Sequence, residues 1–362
     1  MSNYSEAKEC GLRAVFFFSL LGGHFAPPHG GNMAETVNIA EVASRIAKDI
    51  FKVLGWHVHP RKDDNFDCQD GAHLGRGGKE KSTHPTDVVF SYQDPYTSRR
   101  VHLLTDLKSY KKDSISNVKV RTALQSLAMS VECAQESDQW RQKFSVISDQ
   151  SHEIRGLLFV HNHDGGYEKN FYEELKKVNL RTLEIRAPVV LHFLGPADIS
   201  RLYNIANDIL RLKAEGELPK EYTFYYPDLV ITRRAGSVWD QQATIEAVAG
   251  PFLIIKHAEA ESHKAGYLIY YNRAGATYEE FEYLIDCLSR YQILDAELPI
   301  RIRMVSSEIA ESYQSNLEVA VQRYAKSWGF DESRSKMLEK ISVSRIQAVV
   351  STYNPGDCGW RV

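Results

Sequence analysis

Two stretches of this 362-residue chain, residues 87–92 and 100–110, are apolar enough to be buried strands, and the Asp94-Pro95 turn signal between them makes them a hairpin. This hairpin constrains the fold more than any other feature, because three charged residues interrupt it at related positions. Side chains alternate along a strand. Val101, Leu103, Thr105 and Leu107 therefore face one way, while His102, Leu104, Asp106 and Lys108 face the other. Asp87 opens the partner strand. Antiparallel neighbours lie about 5 Å apart, so Asp87, Asp106 and Lys108 can share one patch.

Two carboxylates and one ammonium suit a particular chemistry. A hard cation such as Mg²⁺ or Mn²⁺ takes oxygen ligands, and one or two carboxylates plus phosphate oxygens satisfy it. Such an ion acidifies water and neutralises charge on a phosphodiester, and a nearby ammonium stabilises the transition state. The competing reading is a strand with a solvated charged face.

The surrounding elements give this patch a context. Ile39, Val42, Ala43, Ile46, Ile50, Val53 and Leu54 recur at helical spacing, predicting a helix over 38–54 with Asn38 and Glu41 as a capping box and Gly55 as its stop. Trp56 begins a short strand. Residues 60–84, with five basic and five acidic side chains and four glycines, read as a long loop; Arg76, Lys79 and Lys81 suit closure over a duplex. A helix is expected from about Ser116 to Glu136, then a buried strand at 156–160, a helix at 171–178, a strand at 189–193 and a helix at 197–212. The polar stretch 214–220 marks a domain boundary. Beyond it strands and helices alternate, with a last strand expected at 345–351.

Pro85-Thr86-Asp87, followed after the hairpin by Asp106-Leu107-Lys108, resembles the signature of the PD-(D/E)xK nucleases, the restriction-endonuclease-like superfamily. The order helix, three strands, helix, strand also resembles that superfamily's core, over about residues 38–161. The resemblance implies an α/β fold for residues 34–215, a restriction-endonuclease-like core with a mixed sheet flanked by helices. Residues 216–362 then form a C-terminal α+β domain for binding, regulation or assembly. It implies metal-dependent hydrolysis of nucleic acid, DNA by expectation, and a role in anti-phage defence. Asp87 and Asp106 would bind Mg²⁺ or Mn²⁺, Glu41 would add a ligand, and Lys108 would position the attacking water. The alternative is a catalytically inactive nucleic-acid-binding or assembly subunit with the same fold. Gln125 stands where RecB-like members begin a Gln-x-x-x-Tyr motif, but Met129 holds the tyrosine position.

Charge bears on the substrate. The net charge is −3, which excludes a protein coated in positive charge. Residues 99–121 nevertheless hold seven basic and two acidic side chains. Lys111, Lys112, Lys119 and Arg121 are thus candidate nucleic-acid contacts, with Gln125 beside them. The partner expected is nucleic acid, with a protein partner or homo-oligomer besides, and no membrane.

Five scattered cysteines without a CxxC suggest neither a disulfide framework nor a structural zinc site, and fit a reducing cytoplasm. Asp67, Cys68, Asp70 and His73 match no common metal-ligand spacing. His161-Asn162-His163 spells HNH, but the ββα-metal nucleases spread those letters over tens of residues. Residues 14–22 have the outline of a signal peptide, too short to span a bilayer. Met33 opens a sequence that reads like a natural start, so residues 1–33 are taken as a tail or a start assigned too early.

Overall fold

The computed structural model describes residues 16–17, 45–144, 146, 151–185, 188–227, 242–294, 298–329 and 331–351. Within these the chain divides into two units between Ser200 and Arg201. Glu41 and Asn38 lie outside the described residues.

The first unit is built on a mixed sheet. Its strands are β1 (Phe16–Phe17), β2 (His57–Asp67), β3 (Thr83–Gln93), β4 (Arg100–Tyr110), β5 (His152–Asn162) and β6 (Val190–Leu194). The spatial order is β1-β6-β5-β4-β3-β2. The β2–β3–β4 meander is antiparallel, whereas β4, β5 and β6 run parallel, and β1 pairs antiparallel to β6. The parallel step from β4 to β5 needs a crossover, supplied by helix α1 (Asn117–Glu136). Ser116 caps α1 by accepting the Lys119 N–H, and Val120, Leu124, Leu127, Ala128 and Val131 form its buried stripe. Gly156 on β5 lets α1 come close, since a Cβ there would sit 2.6 Å from Leu191 and 3.0 Å from both Leu127 and Val131.

Ahead of β2 the chain is helical over residues 45–51, widening to a π-turn at Ala47–Phe51. Gly55 ends it with φ of 82°, as its position suggested. Trp56 stacks on Phe51 at 4.4 Å, and Phe51 meets Phe90 edge-on at 4.6 Å, so this segment packs on the sheet through aromatic rings. The element order is thus the expected helix, three strands, helix, strand.

The structure corrects the expected loop at 60–84. β2 continues to Asp67, with a pairing irregularity between Val58 and Lys62 and a positive φ of 50° at Asp63. An edge strand that carries Pro60 and mostly exposed polar residues shows no apolar alternation, which is why its sequence reads as loop. Short helices α2 (Asp138–Lys143) and α3 (Phe171–Lys176) complete this unit.

Helix α4 (Pro196–Ala214) carries the division of the chain. The sequence boundary at 215/216 lies at its far end. Its later residues bond within the second unit: Arg201 to the Val248 carbonyl at 3.0 Å, and Asn204 to the backbone of Val349 and Val350. That unit holds a sheet of order β11-β10-β9-β8-β7. The strands are β7 (Tyr222–Phe224), β8 (Phe252–His257), β9 (Gly266–Tyr271), β10 (Ile300–Met304) and β11 (Ile341–Arg345). Helices α5 (Ile245–Ala249), α6 (Tyr278–Arg290), α7 (Tyr313–Ser327) and α8 (Glu332–Leu338) accompany it. The last strand lies earlier than the expected 345–351.

The Asp208 side chain is fully buried in this unit, held by Arg303 at 2.5 Å, Arg211 at 2.9 Å and the Tyr270 hydroxyl at 3.0 Å. Truncating one partner of a buried ion pair leaves an uncompensated charge. Asp208→Ala is therefore expected to cost about 3–5 kcal/mol, read as a lower denaturant midpoint; an unchanged midpoint would contradict this role.

Candidate active site

The hairpin register decides what meets at the site. Val88 lies opposite Thr105, which sets Asp87 beside Asp106 across the β3–β4 ladder. Asp87 Oδ2 accepts the Leu107 N–H at 2.7 Å, anchoring its carboxyl to the neighbouring strand. Lys108 Nζ donates to Asp106 Oδ1 at 2.5 Å. The structure thus brings Asp87, Asp106 and Lys108 together, half-buried, on adjacent strands, with Asp87 inside β3 rather than opening it.

The electrostatics of the trio follow from that packing. Burial, and then the negative charge and hydrogen bond of Asp106, push the Asp87 pKa up to about 7, against the opposing pull of Lys108 and the Leu107 N–H. Burial alone would lower Lys108; Asp106 and Asp87 outweigh it and hold the ammonium above its ordinary value. Without a metal, the site holds an Asp87 carboxyl that keeps its proton up to about pH 7, beside Asp106 and a charged lysine. Two hard oxygen donors that resist carrying two negative charges together are a donor set that fits a divalent cation.

Lys81 is a neighbour that the sequence places in a long loop suited to close over a duplex. Its ammonium is instead half-buried, donating to Ser126 Oγ at 3.4 Å. Burial lowers its pKa, while Cys68, Asp106 and Cys133 counter that effect. Only the fold carries this chain position back to the patch.

The candidate nucleic-acid contacts fall into two sets. Lys111, Lys112 and Lys119 are exposed just beyond the Lys108 end of β4, with Lys119 over the Tyr110 ring at 5.4 Å. Arg121 and Gln125 are engaged internally: Arg121 donates to the Thr182 carbonyl at 2.8 Å, and the Gln125 amide pairs with both backbone groups of Glu184. In the HNH tripeptide, His161 and Asn162 end β5, and Asn162 donates to the Tyr110 carbonyl at 2.9 Å.

The family model described as the GAPS4 protein PD-(D/E)XK nuclease domain matches residues 33–198. This part of the chain belongs to the PD-(D/E)XK nuclease superfamily. No curated protein and no solved structure gives a significant match to the chain. The matched residues thus take in β2 to β6 of the first sheet and its crossover helix, and nucleic acid is the substrate class that a nuclease domain implies. No helix among the described residues is long and apolar enough to cross a membrane.

The raised Asp87 pKa has a thermodynamic sign. The native nuclease domain keeps a proton that the unfolded chain releases near pH 3.8, so this contribution is full below that pH and is lost as pH rises to about 7. In buffer without Mg²⁺ or Mn²⁺, Asp106→Asn should gain stability relative to the parent between pH 5 and 8. Thermal unfolding across that range checks it, and identical pH slopes would contradict the part of the Asp87 shift assigned to the Asp106 charge.

Proposed function

We propose that the nuclease domain hydrolyses phosphodiester bonds of DNA as a Mg²⁺- or Mn²⁺-dependent endonuclease and serves anti-phage defence. The convergence of Asp87 and Asp106 beside Lys108 carries this reading. A divalent ion held by Asp87 and Asp106, with Glu41 as a further ligand, would supply positive charge that acidifies water and neutralises the scissile phosphate.

The chain's own residues do the rest. The Leu107 N–H fixes one carboxylate of the pair. Lys108, kept as an ammonium by its two acidic neighbours, donates hydrogen bonds rather than accepting a proton. It orients the attacking water and stabilises negative charge building on the phosphate. Lys111, Lys112 and Lys119, exposed beyond it, suit neutralisation of the flanking backbone. The defence role is supported by the description of the matching family model. Residues 216–362 would contribute target binding, regulation or assembly, in the cytoplasm. Convergence of the carboxyl pair favours this over a binding-only subunit.

Asp106→Ala and Lys108→Ala should each lower cleavage of plasmid and linear DNA in Mg²⁺ or Mn²⁺ by at least about 100-fold, with the circular dichroism spectrum unchanged. Full activity in either variant would remove the assignment.

The ion must displace the proton on the carboxyl pair. Its affinity should therefore fall up to about tenfold per pH unit below pH 7. Proton release should accompany binding, measurable by calorimetry in buffers of different ionisation enthalpy. A pH-independent affinity between pH 5.5 and 7 would contradict it.

A further inference from the structure

Away from the carboxyl pair, the nuclease domain buries a second group of potential ligands. Cys68 lies just past β2, His73 in the following turn, His84 at the start of β3, and Cys133 near the end of α1. One donor atom from each falls within 4.8 Å of all the others. Both cysteines are free thiols. We propose that these four residues form a structural Zn²⁺ site, independent of the nuclease reading and of its metal.

Four of the six donor separations match a tetrahedron, and the other two, from His84 to each sulfur, lie within 4.8 Å. With ordinary bonds of about 2.3 Å to sulfur and 2.0–2.1 Å to nitrogen, tetrahedral zinc sets its donors about 3.8 Å apart for S···S, about 3.6 Å for S···N and about 3.4 Å for N···N. Here Cys68 Sγ and Cys133 Sγ are 3.7 Å apart. His73 Nδ1 is 3.5 Å from Cys68 Sγ, 3.3 Å from Cys133 Sγ and 3.4 Å from His84 Nε2. A disulfide needs its sulfurs at about 2.05 Å, so the thiols are spaced for a shared ion rather than for a bond to each other.

Hydrogen bonding alone does not account for the cluster. Glu132 Oε2 lies 2.8 Å from His73 Nε2 and takes the proton there, which leaves Nδ1 a bare lone pair. Ser130 gives its hydroxyl proton to the Ser126 carbonyl at 2.9 Å. Its oxygen, 3.3 Å from His84 Nδ1, therefore accepts from that ring and leaves His84 Nε2 bare as well. Both imidazole lone pairs thus point into the cluster 3.4 Å apart, where the Cys133 thiol, 3.3 Å from His73 Nδ1, has one proton to offer, while a cation serves both. The Gln69 N–H pointing at Cys133 Sγ at 3.3 Å suits a thiolate.

The outer partners match those of metal-bound histidines, whose second nitrogen donates to a carboxylate or another acceptor. Asp70, His73 and Glu132 form a second cluster. The 2.8 Å between His73 Nε2 and Glu132 is a hydrogen-bond length, shorter than the roughly 3.3 Å between two ligands of a tetrahedral zinc, so Glu132 orients the histidine rather than binding the metal. The site would tie the Cys68–His84 segment to α1, three residues before Asp87.

Metal analysis of the purified full chain should find one Zn²⁺ per chain, retained in Mg²⁺ and in Asp106→Ala. Cobalt exchanged into the unmutated protein should show intense tetrahedral visible bands and a thiolate charge-transfer band in the near ultraviolet. Glu132→Gln should keep that spectrum while weakening affinity about tenfold. Cys133→Ser should lose the charge-transfer intensity of one sulfur. Absence of tight zinc from the unmutated protein, an octahedral cobalt spectrum, or zinc that persists unchanged in a Cys68→Ser/Cys133→Ser double variant would each overturn the site. The cobalt spectrum is read on unmutated protein, so poor folding of a variant does not blunt the test.

Discussion

The antiparallel pairing of β3 with β4 sets Val88 opposite Thr105, and the chemistry of the nuclease domain descends from that pairing. A slip of one residue would turn Asp87 to the other face and leave Asp106 beside an apolar neighbour. The register is held because Val89, Leu104 and Leu158 must all reach the core that α1 covers. It is held again by the Leu107 N–H bonded to the Asp87 carboxyl. Apolar burial therefore accounts for two carboxyl groups standing closer than their charges favour, and the raised pKa of Asp87 expresses that cost.

What the sequence revealed and what it concealed follow from how local each signal is. The β3–β4 hairpin was legible because its apolar alternation, its Asp-Pro turn and its three charges lie within 24 residues, from Asp87 to Tyr110. Helix α1 was legible from its apolar stripe. Strand β2 was not, since an edge strand buries too little to impose a period-two pattern. Lys81 reads as a loop residue for the same reason: only the turn between β2 and β3 folds it back toward Asp106.

The Cys68, His73, His84 and Cys133 cluster shows this limit most sharply. Its spacing is C-x4-H-x10-H-x48-C, with the last member on a helix and the others before or on β3. Short fixed spacings identify zinc sites only where one or two local turns supply the ligands. Here the β2–β3 pairing and the packing of α1 bring the donors together. The absence of a CxxC was thus a statement about local turns and left convergence through the fold untouched. His161-Asn162-His163 makes the converse point: three suggestive letters in a row close β5 as hydrogen-bond partners of β4, both histidines at Ser109 Oγ and Asn162 at the Tyr110 carbonyl.

The two clusters divide their work by ligand chemistry. Carboxylate oxygens with a labile proton suit a hard ion that exchanges and shares its coordination with substrate. Two sulfurs and two imidazoles, buried and braced by Glu132, Ser130 and the Gln69 N–H, suit a softer ion held for the life of the fold. The segment that needs such help is the one between them. Residues 68–82 hold few apolar side chains and four glycines, two of them, Gly77 and Gly78, at positive φ. Such a stretch loses much conformational entropy when ordered and buries little in return. A bond network anchored at Cys68 and His84, with His73 midway, would order it without a core of its own. Lys81, placed by that same segment near Asp106, would then depend on a metal that takes no part in the chemistry.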